Sequence, residues 1–237
     1  MWNWIPLEKK IGAQIISGAD PKTSLAMAVF SSRIDRSVPF TAGAGAVAKE
    51  IRALDSVARG VPKKDRKTAI FDAIKESLPM FGKSRPGDVI CLVTDGSENH
   101  SQSLKQELNR SLSANGTRVY AILLMAHDND FMAHINELPG HRDIHELAKR
   151  SGGMTDMLWT GVYWDSRRWS SSLMESALAL CQLLNLQFGN GYIIRTLLPG
   201  GLKKPESWKL KVIGQDGKVN PSLSTFYPRL LPCQTAP

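Results

Sequence analysis

The chain has 237 residues, 42% of them hydrophobic, which is enough for one full-sized core with a small appendage. A folded chain is therefore expected rather than a disordered one. The net charge of +8 would suit an acidic partner, but the dense basic stretch at residues 63–67 has no interleaved aromatic residue and indicates a solvated loop. Three cysteines without a CxxC pair exclude a zinc ribbon and a disulfide scaffold, and no apolar run is long enough to cross a bilayer.

Helix and strand patterns then alternate along the chain. Apolar spacing predicts a short helix over residues 5–17 and a strand over 24–30 that is apolar throughout and therefore covered on both faces. An alternating run at 34–40 predicts an antiparallel edge strand beside it. Amphipathic helices follow over 46–57 and 69–81, and residues 88–94 form a second buried strand.

The second half continues in the same order. Helices are predicted over 101–114, 142–150 and 169–188, with a third buried strand over 119–125. This alternation predicts the α/β fold class, with a mainly parallel, Rossmann-like sheet that has helices on both faces. Short strands over 192–198, 208–213 and 223–227 predict a small β appendage. We therefore assign residues 1–189 to the main domain and 190–237 to a C-terminal β extension and tail.

Two segments place polar side chains at the carboxyl ends of strands, where ligands bind in open parallel sheets. Asp95 follows the strand at 88–94 and leads into a turn at Gly96, so this strand delivers its carboxylate to the edge. Thr68 precedes the helix predicted over 69–81, where it would cap the helix and present its hydroxyl outward. Taken singly, such residues are more often only a turn former and a cap, so the interpretation depends on their joint occurrence.

These two segments resemble the von Willebrand factor type A (VWA) family. Residues 68–74 match its T-A-hydrophobic-x-D-A-hydrophobic segment, and residues 89–96 match its apolar strand ending in T-D-G. The likeness covers residues 5–153, and the tail is similar to the extension of bacterial VWA-related proteins. The resemblance implies a metal-ion-dependent adhesion site, in which hydroxyls and carboxylates hold Mg²⁺ and a carboxylate of a bound partner completes the shell. In this chain its metal ligands would be Thr68 and Asp95, the latter directly or through water.

One part of the family pattern is not found. The family's Asp-x-Ser-x-Ser follows the first strand and precedes the first helix, whereas this chain begins inside that helix. Asp55-Ser56 stands in the wrong place and lacks the second serine. We therefore expect an N-terminally truncated VWA domain without its first, central strand, with weak or absent Mg²⁺ binding and low stability. The strands at 24–30 and 88–94 would close directly, stay apart or accept another segment.

A dinucleotide-binding enzyme is one alternative. Gly43, Gly45 and Ala48 follow a predicted strand and open a helix, as in the dinucleotide fingerprint. That fingerprint requires a second buried strand ending in an acidic residue, and the chain instead runs into a basic loop. The sequence therefore disfavours an NAD-linked enzyme.

A metalloenzyme and a hydrolase are two further alternatives. His141 and His145 stand four residues apart, but no Glu-x-x lies between them, so surface histidines at a helix start are favoured over a zinc pair. A hydrolase with Asp95 as nucleophile would need Ser97 or His100 in supporting roles, and nothing in the spacing demands them.

The resemblance favours a protein-binding module of the VWA type with an incomplete metal-ion-dependent adhesion site and no catalytic reaction. The expected partner is a protein that reaches the site through a carboxylate, with no nucleic acid and no membrane span. A structural scaffold with a dead metal site stays open as an alternative, as does an enzyme on the same fold. The first ten residues have no secretion-signal pattern, so export cannot be inferred from them.

Overall fold

The computed structural model describes residues 4–54, 67–83, 85–126, 139–160 and 171–189, with short pieces at 206–207, 210–213, 218–219 and 230–231. The helices are α1 (Ile5–Gly18), α2 (Gly43–Arg52), α3 (Ile70–Ser77), α4 (Lys105–Asn115), α5 (Pro139–Ser151) and α6 (Ser171–Gly189). The strands are β1 (Met27–Phe30), β2 (Ile34–Val38), β3 (Val89–Thr94), β4 (Arg118–Ala126) and β5 (Thr155–Thr160), followed by the two-residue β6 (Glu206–Ser207) and β7 (Leu230–Leu231).

A parallel sheet with the order β3-β4-β5 forms the centre of the fold. Val89 lies opposite Arg118, and Ala121 lies opposite Thr155. The helices α4 and α5 connect these strands, as parallel neighbours require. β1 and β2 form a separate antiparallel pair. The α/β fold class predicted from the sequence is confirmed.

Apolar residues cover both faces of this sheet. One cluster joins alternate residues of β4, such as Leu123, to α3, α4 and α5. The other joins the intervening residues, such as Ile122, to α1 and α6. Every residue from 119 to 125 is buried, because β4 has a strand on each side and helices on each face.

The prediction that residues 88–94 form a buried strand is only partly right. Leu92 is 5% exposed, but Ile90 is half-buried, like Val89, Cys91 and Val93. β3 is paired only with β4 in the described part of the chain, so its other edge is open. β1 was predicted over residues 24–30 as a strand covered on both faces, but it is a half-buried strand of four residues. An open edge explains this difference as well.

Two other differences from the predicted elements have local causes. β5 was not predicted, since Thr155 and Asp156 interrupt its apolar pattern. α4 begins at Lys105 rather than at residue 101, because the residues before it bond to α3 instead.

Most of the predicted C-terminal appendage lies outside the described residues, including the strands at 192–198 and 223–227. The described pieces pair β6 with β7 in antiparallel fashion and form an isolated bridge between Ile213 and Val219. The division at residue 190 stays a prediction. Cys91 and Cys181 are free thiols, and in the described part no helix is long and apolar enough to cross a membrane.

Candidate functional site

The segments that carry Thr68 and Asp95 meet at the carboxyl edge of the sheet. The Thr68 N–H donates to Oδ1 of Asn99 at 2.8 Å, and the Thr68 carbonyl accepts from the N–H groups of Asn99 and His100 at 3.0 and 3.1 Å. On its other side, the N–H of Ala69 donates to the carbonyl of Ser31, just after β1. The structure therefore brings the two predicted site segments together through Asn99.

Glu98 anchors the loop that follows β3. Its Oε2 accepts from the Ile70 N–H at 2.6 Å and from the Ser101 hydroxyl at 2.8 Å. Its Oε1 accepts from the N–H groups of His100 and Ser101 at 3.0 and 2.9 Å. A carboxylate at the amino end of α3 satisfies N–H groups that lack a partner in the helix. The loop is thereby held against α3.

Asp72 ties the far end of the same loop to α3. Its two oxygens accept from the N–H groups of Gln102 and Ser103, each at 2.8 Å. Desolvation raises the pKa of Asp72, but hydrogen bonds from the Ser103 side chain and these two N–H groups outweigh it, so the pKa lies below its usual value.

The expected capping role of Thr68 was wrong. The residue that precedes α3 is Ala69, and no side chain of its own segment caps this helix. Glu98 and Ser101 accept from the first N–H groups of α3 instead. The half-buried Thr68 contributes to the edge mainly through its backbone.

Asp95 is exposed at the end of β3, as predicted. Its Oδ1 accepts from the Ser97 N–H at 3.0 Å, and its carbonyl accepts from Nε2 of His141 at 2.8 Å. His141 is 6% exposed, so the prediction of a surface histidine was wrong for this residue, whereas His145 is exposed. Gly96 has φ +75, and a Cβ there would overlap the His141 ring. The turn after β3 thus requires glycine.

Glu8 is a site residue that the sequence did not reveal. It lies in the first turn of α1, and burial, together with the charge of Asp95, raises its pKa to about 7. Glu8 therefore lies within electrostatic range of Asp95. Residues 8 and 95 are far apart in sequence, and no motif in the chain links them.

The residues at this edge do not fit a resident Mg²⁺. Mg²⁺ requires oxygens in near-octahedral positions. This edge offers the neutral hydroxyl of Thr68, the carboxylate of Asp95 and the carboxyl group of Glu8. One oxygen of Asp95 already accepts from Ser97. No group of three or more His, Cys, Asp or Glu residues in the described ranges is placed to hold a metal ion, and this includes His141 and His145.

A parallel sheet with helices on both faces and polar loops at its carboxyl edge defines a Rossmann-like α/β protein. Among solved structures, the chain is similar to the conserved hypothetical protein BatB from Bacteroides thetaiotaomicron, with a TM-score of 0.53 and 16% identity. The match covers 78% of this chain and 88% of that chain. At this identity the likeness shows the fold alone. No protein-family model matches the sequence, and no curated protein matches it.

Proposed function

We propose that this chain is a protein-interaction module of the VWA type, which binds its partner at the carboxyl edge of the sheet. The observation that carries the proposal is the rigid presentation of an exposed carboxylate. Asp95 is exposed, while Glu98, Asn99 and His141 hold the backbone around it. A loop fixed in this way loses little conformational freedom on binding, which favours recognition.

Binding is favoured over hydrolysis by the arrangement around Asp95. The buried His141 bonds to the Asp95 carbonyl, so it is not placed as a base beside the carboxylate. The NAD-linked alternative has weaker support, because Gly43 is the first residue of α2, Gly45 and Ala48 lie further inside the helix, and the preceding residues 40–42 contain no glycine. We propose no catalytic reaction.

The proposed function predicts which partners depend on Asp95. In affinity capture from cells that carry this gene, proteins retained by the wild-type chain should fall at least about tenfold with Asp95→Asn, in line with the loss of a charge-assisted contact. This variant keeps an oxygen for the Ser97 N–H. Glu175→Gln, exposed on α6, is the matched control and should retain the same proteins. Identical captured sets for both variants would sink the proposal.

We further propose that the adhesion-type metal site is incomplete in this chain. Calorimetric titration of Mg²⁺ or Mn²⁺ is expected to give only very weak binding, because the few oxygens at the edge cannot replace the hydration shell. Any residual signal should vanish with Asp95→Asn. Tight binding by the wild-type chain would contradict the incomplete site, and binding unchanged by Asp95→Asn would exclude Asp95 as a ligand.

A further inference from the structure

A groove lies between α1 and α2, which pack against each other. Gly12 allows the two helices to come close, because a Cβ at this position would lie 2.8 Å from Cδ1 of Ile51. The groove holds about 350 Å³, and its apolar lining consists of Ala13, Ile16, Ala48 and Ile51. Ligand pockets in proteins begin at about 300 Å³. The groove is therefore large enough for a small molecule.

Two cations stand at one end of this groove. Nζ of Lys9 donates to the Arg52 carbonyl at 2.8 Å, so the last turn of α2 meets α1 there. An ammonium group and a guanidinium group each have several N–H donors, so both side chains keep donors for an anion. In the described part of the chain, neither side chain pairs with a carboxylate.

No carboxylate of the two helices lines the groove to compete for these cations. α1 contains one acidic residue, Glu8, and α2 contains one, Glu50, and neither belongs to the lining. Glu50 pairs instead with Arg36 of β2 at 2.7 Å. The end of the groove at Lys9 and Arg52 therefore favours a negative charge.

The length of the groove sets the size of a ligand. Lys9 and Ser17 both line the groove, and α1 rises about 12 Å between them. A saturated carbon chain with C–C bonds of about 1.5 Å advances about 1.3 Å per carbon, so about eight to ten carbons span this length. The groove thus matches an alkyl chain of medium length with an anionic group at one end.

We propose that the groove between α1 and α2 binds a single-chain anionic amphiphile of the fatty-acid type. Its head group, a carboxylate or a phosphate, bonds to Lys9 and Arg52, because a guanidinium group binds either anion through two parallel hydrogen bonds. Its alkyl chain lies along the apolar lining towards Ser17 and is thereby removed from water. This site is separate from the loop that carries Asp95.

Other occupants suit the groove less well. Seven residues line it, whereas a protein interface uses about 20 to 30 on each side. Residues 55–66, which follow α2 in the sequence, contain four cations and two carboxylates and would add positive charge beside Lys9 and Arg52. A second copy of this chain would bring a net charge of +8. Charge and size together assign the groove to a small anion.

The first test uses the wild-type chain alone. Calorimetric titration with decanoate and with decyl phosphate, at concentrations where neither forms micelles, should show saturable one-to-one binding. Decylammonium has the same chain with the opposite charge, and butyrate has the carboxylate with a short chain. Both should bind at least about tenfold more weakly than decanoate. The tighter of the two ten-carbon anions identifies the preferred head group.

Two variants with matched controls assign the binding to this groove. Arg52→Gln removes a cation and should weaken decanoate binding at least about tenfold, whereas Lys10→Gln, exposed on α1 outside the lining, should not. Ala48→Leu fills the groove and should weaken binding to the same degree, whereas Ala179→Leu, exposed on α6, should not. Thermal unfolding checks that each variant is folded.

Equal affinity for decanoate and decylammonium would overturn the proposal, as would an affinity unchanged by Arg52→Gln or by Ala48→Leu. The absence of decanoate binding to the wild-type chain would also overturn it, and this result needs no variant to fold. Asp95→Asn should leave decanoate binding unchanged. Failure of the amphiphile site therefore leaves the proposed function at the Asp95 loop standing.

Discussion

Gly153→Ala is expected to destabilise the fold by about 3 kcal/mol, because the added methyl group would meet backbone rather than a movable side chain. A Cβ at this position would overlap the Val119 carbonyl oxygen and lie 2.6 Å from its carbonyl carbon. Val119 belongs to β4, and its N–H donates to the Ser151 hydroxyl at 2.9 Å. The start of β5 therefore packs too closely on β4 for any side chain. Thermal unfolding should show a fall in Tm of roughly 10 °C.

Gly45→Ala is the matched control for this prediction. Gly45 lies in α2, and a Cβ there would meet nothing within 4 Å. Alanine should stabilise the helix by about 0.5 to 1 kcal/mol, since glycine loses more backbone freedom on folding. Equal stability of Gly153→Ala and wild type would show that β4 and the turn before β5 are not in contact as described.

The wild-type chain is expected to lose stability as the pH rises, and Glu8→Gln is expected to abolish this loss. The pKa of Glu8 is raised from 4.5 to about 7 in the folded state by burial and by Asp95. Because the pKa of Glu8 is higher in the folded state than in the unfolded state, the contribution of this residue to stability is complete at pH values below the unfolded-state pKa. That contribution is lost as the pH rises through 7. Ionising Glu8 in the fold should cost up to about 3 kcal/mol. The neutral glutamine avoids this cost.

Urea unfolding at pH 5 and pH 9 measures this effect. Wild type and Glu8→Gln should differ least at pH 5, and the variant should be the more stable at pH 9. Glu175→Gln, at an exposed position on α6, should keep the wild-type pH dependence. If Glu8→Gln retained the full loss of stability between the two pH values, the burial of Glu8 beside Asp95 would be refuted.

The repeating pattern of residues allowed much of the fold to be predicted. Apolar runs placed β3 and β4 within a residue or two, and the helical spacing placed α1 and α6. β5 was not predicted, because Asp156 interrupts its apolar pattern. The carboxylate of Asp156 accepts from a neighbouring backbone N–H, an interaction that apolar periodicity does not indicate. The position of Asp95 at the carboxyl edge could be predicted because it depends only on where β3 ends.

The sequence by itself determined the α/β class, the order of its elements and the edge at which Thr68 and Asp95 lie, because these depend on periodicity within short windows. Only the tertiary structure decided that β3 has an open edge, that Glu98 rather than Thr68 serves the amino end of α3, and that Glu8 approaches Asp95. These features join residues far apart in the chain. They follow from how helices pack on the sheet, and the spacing of residues along one segment does not determine that packing.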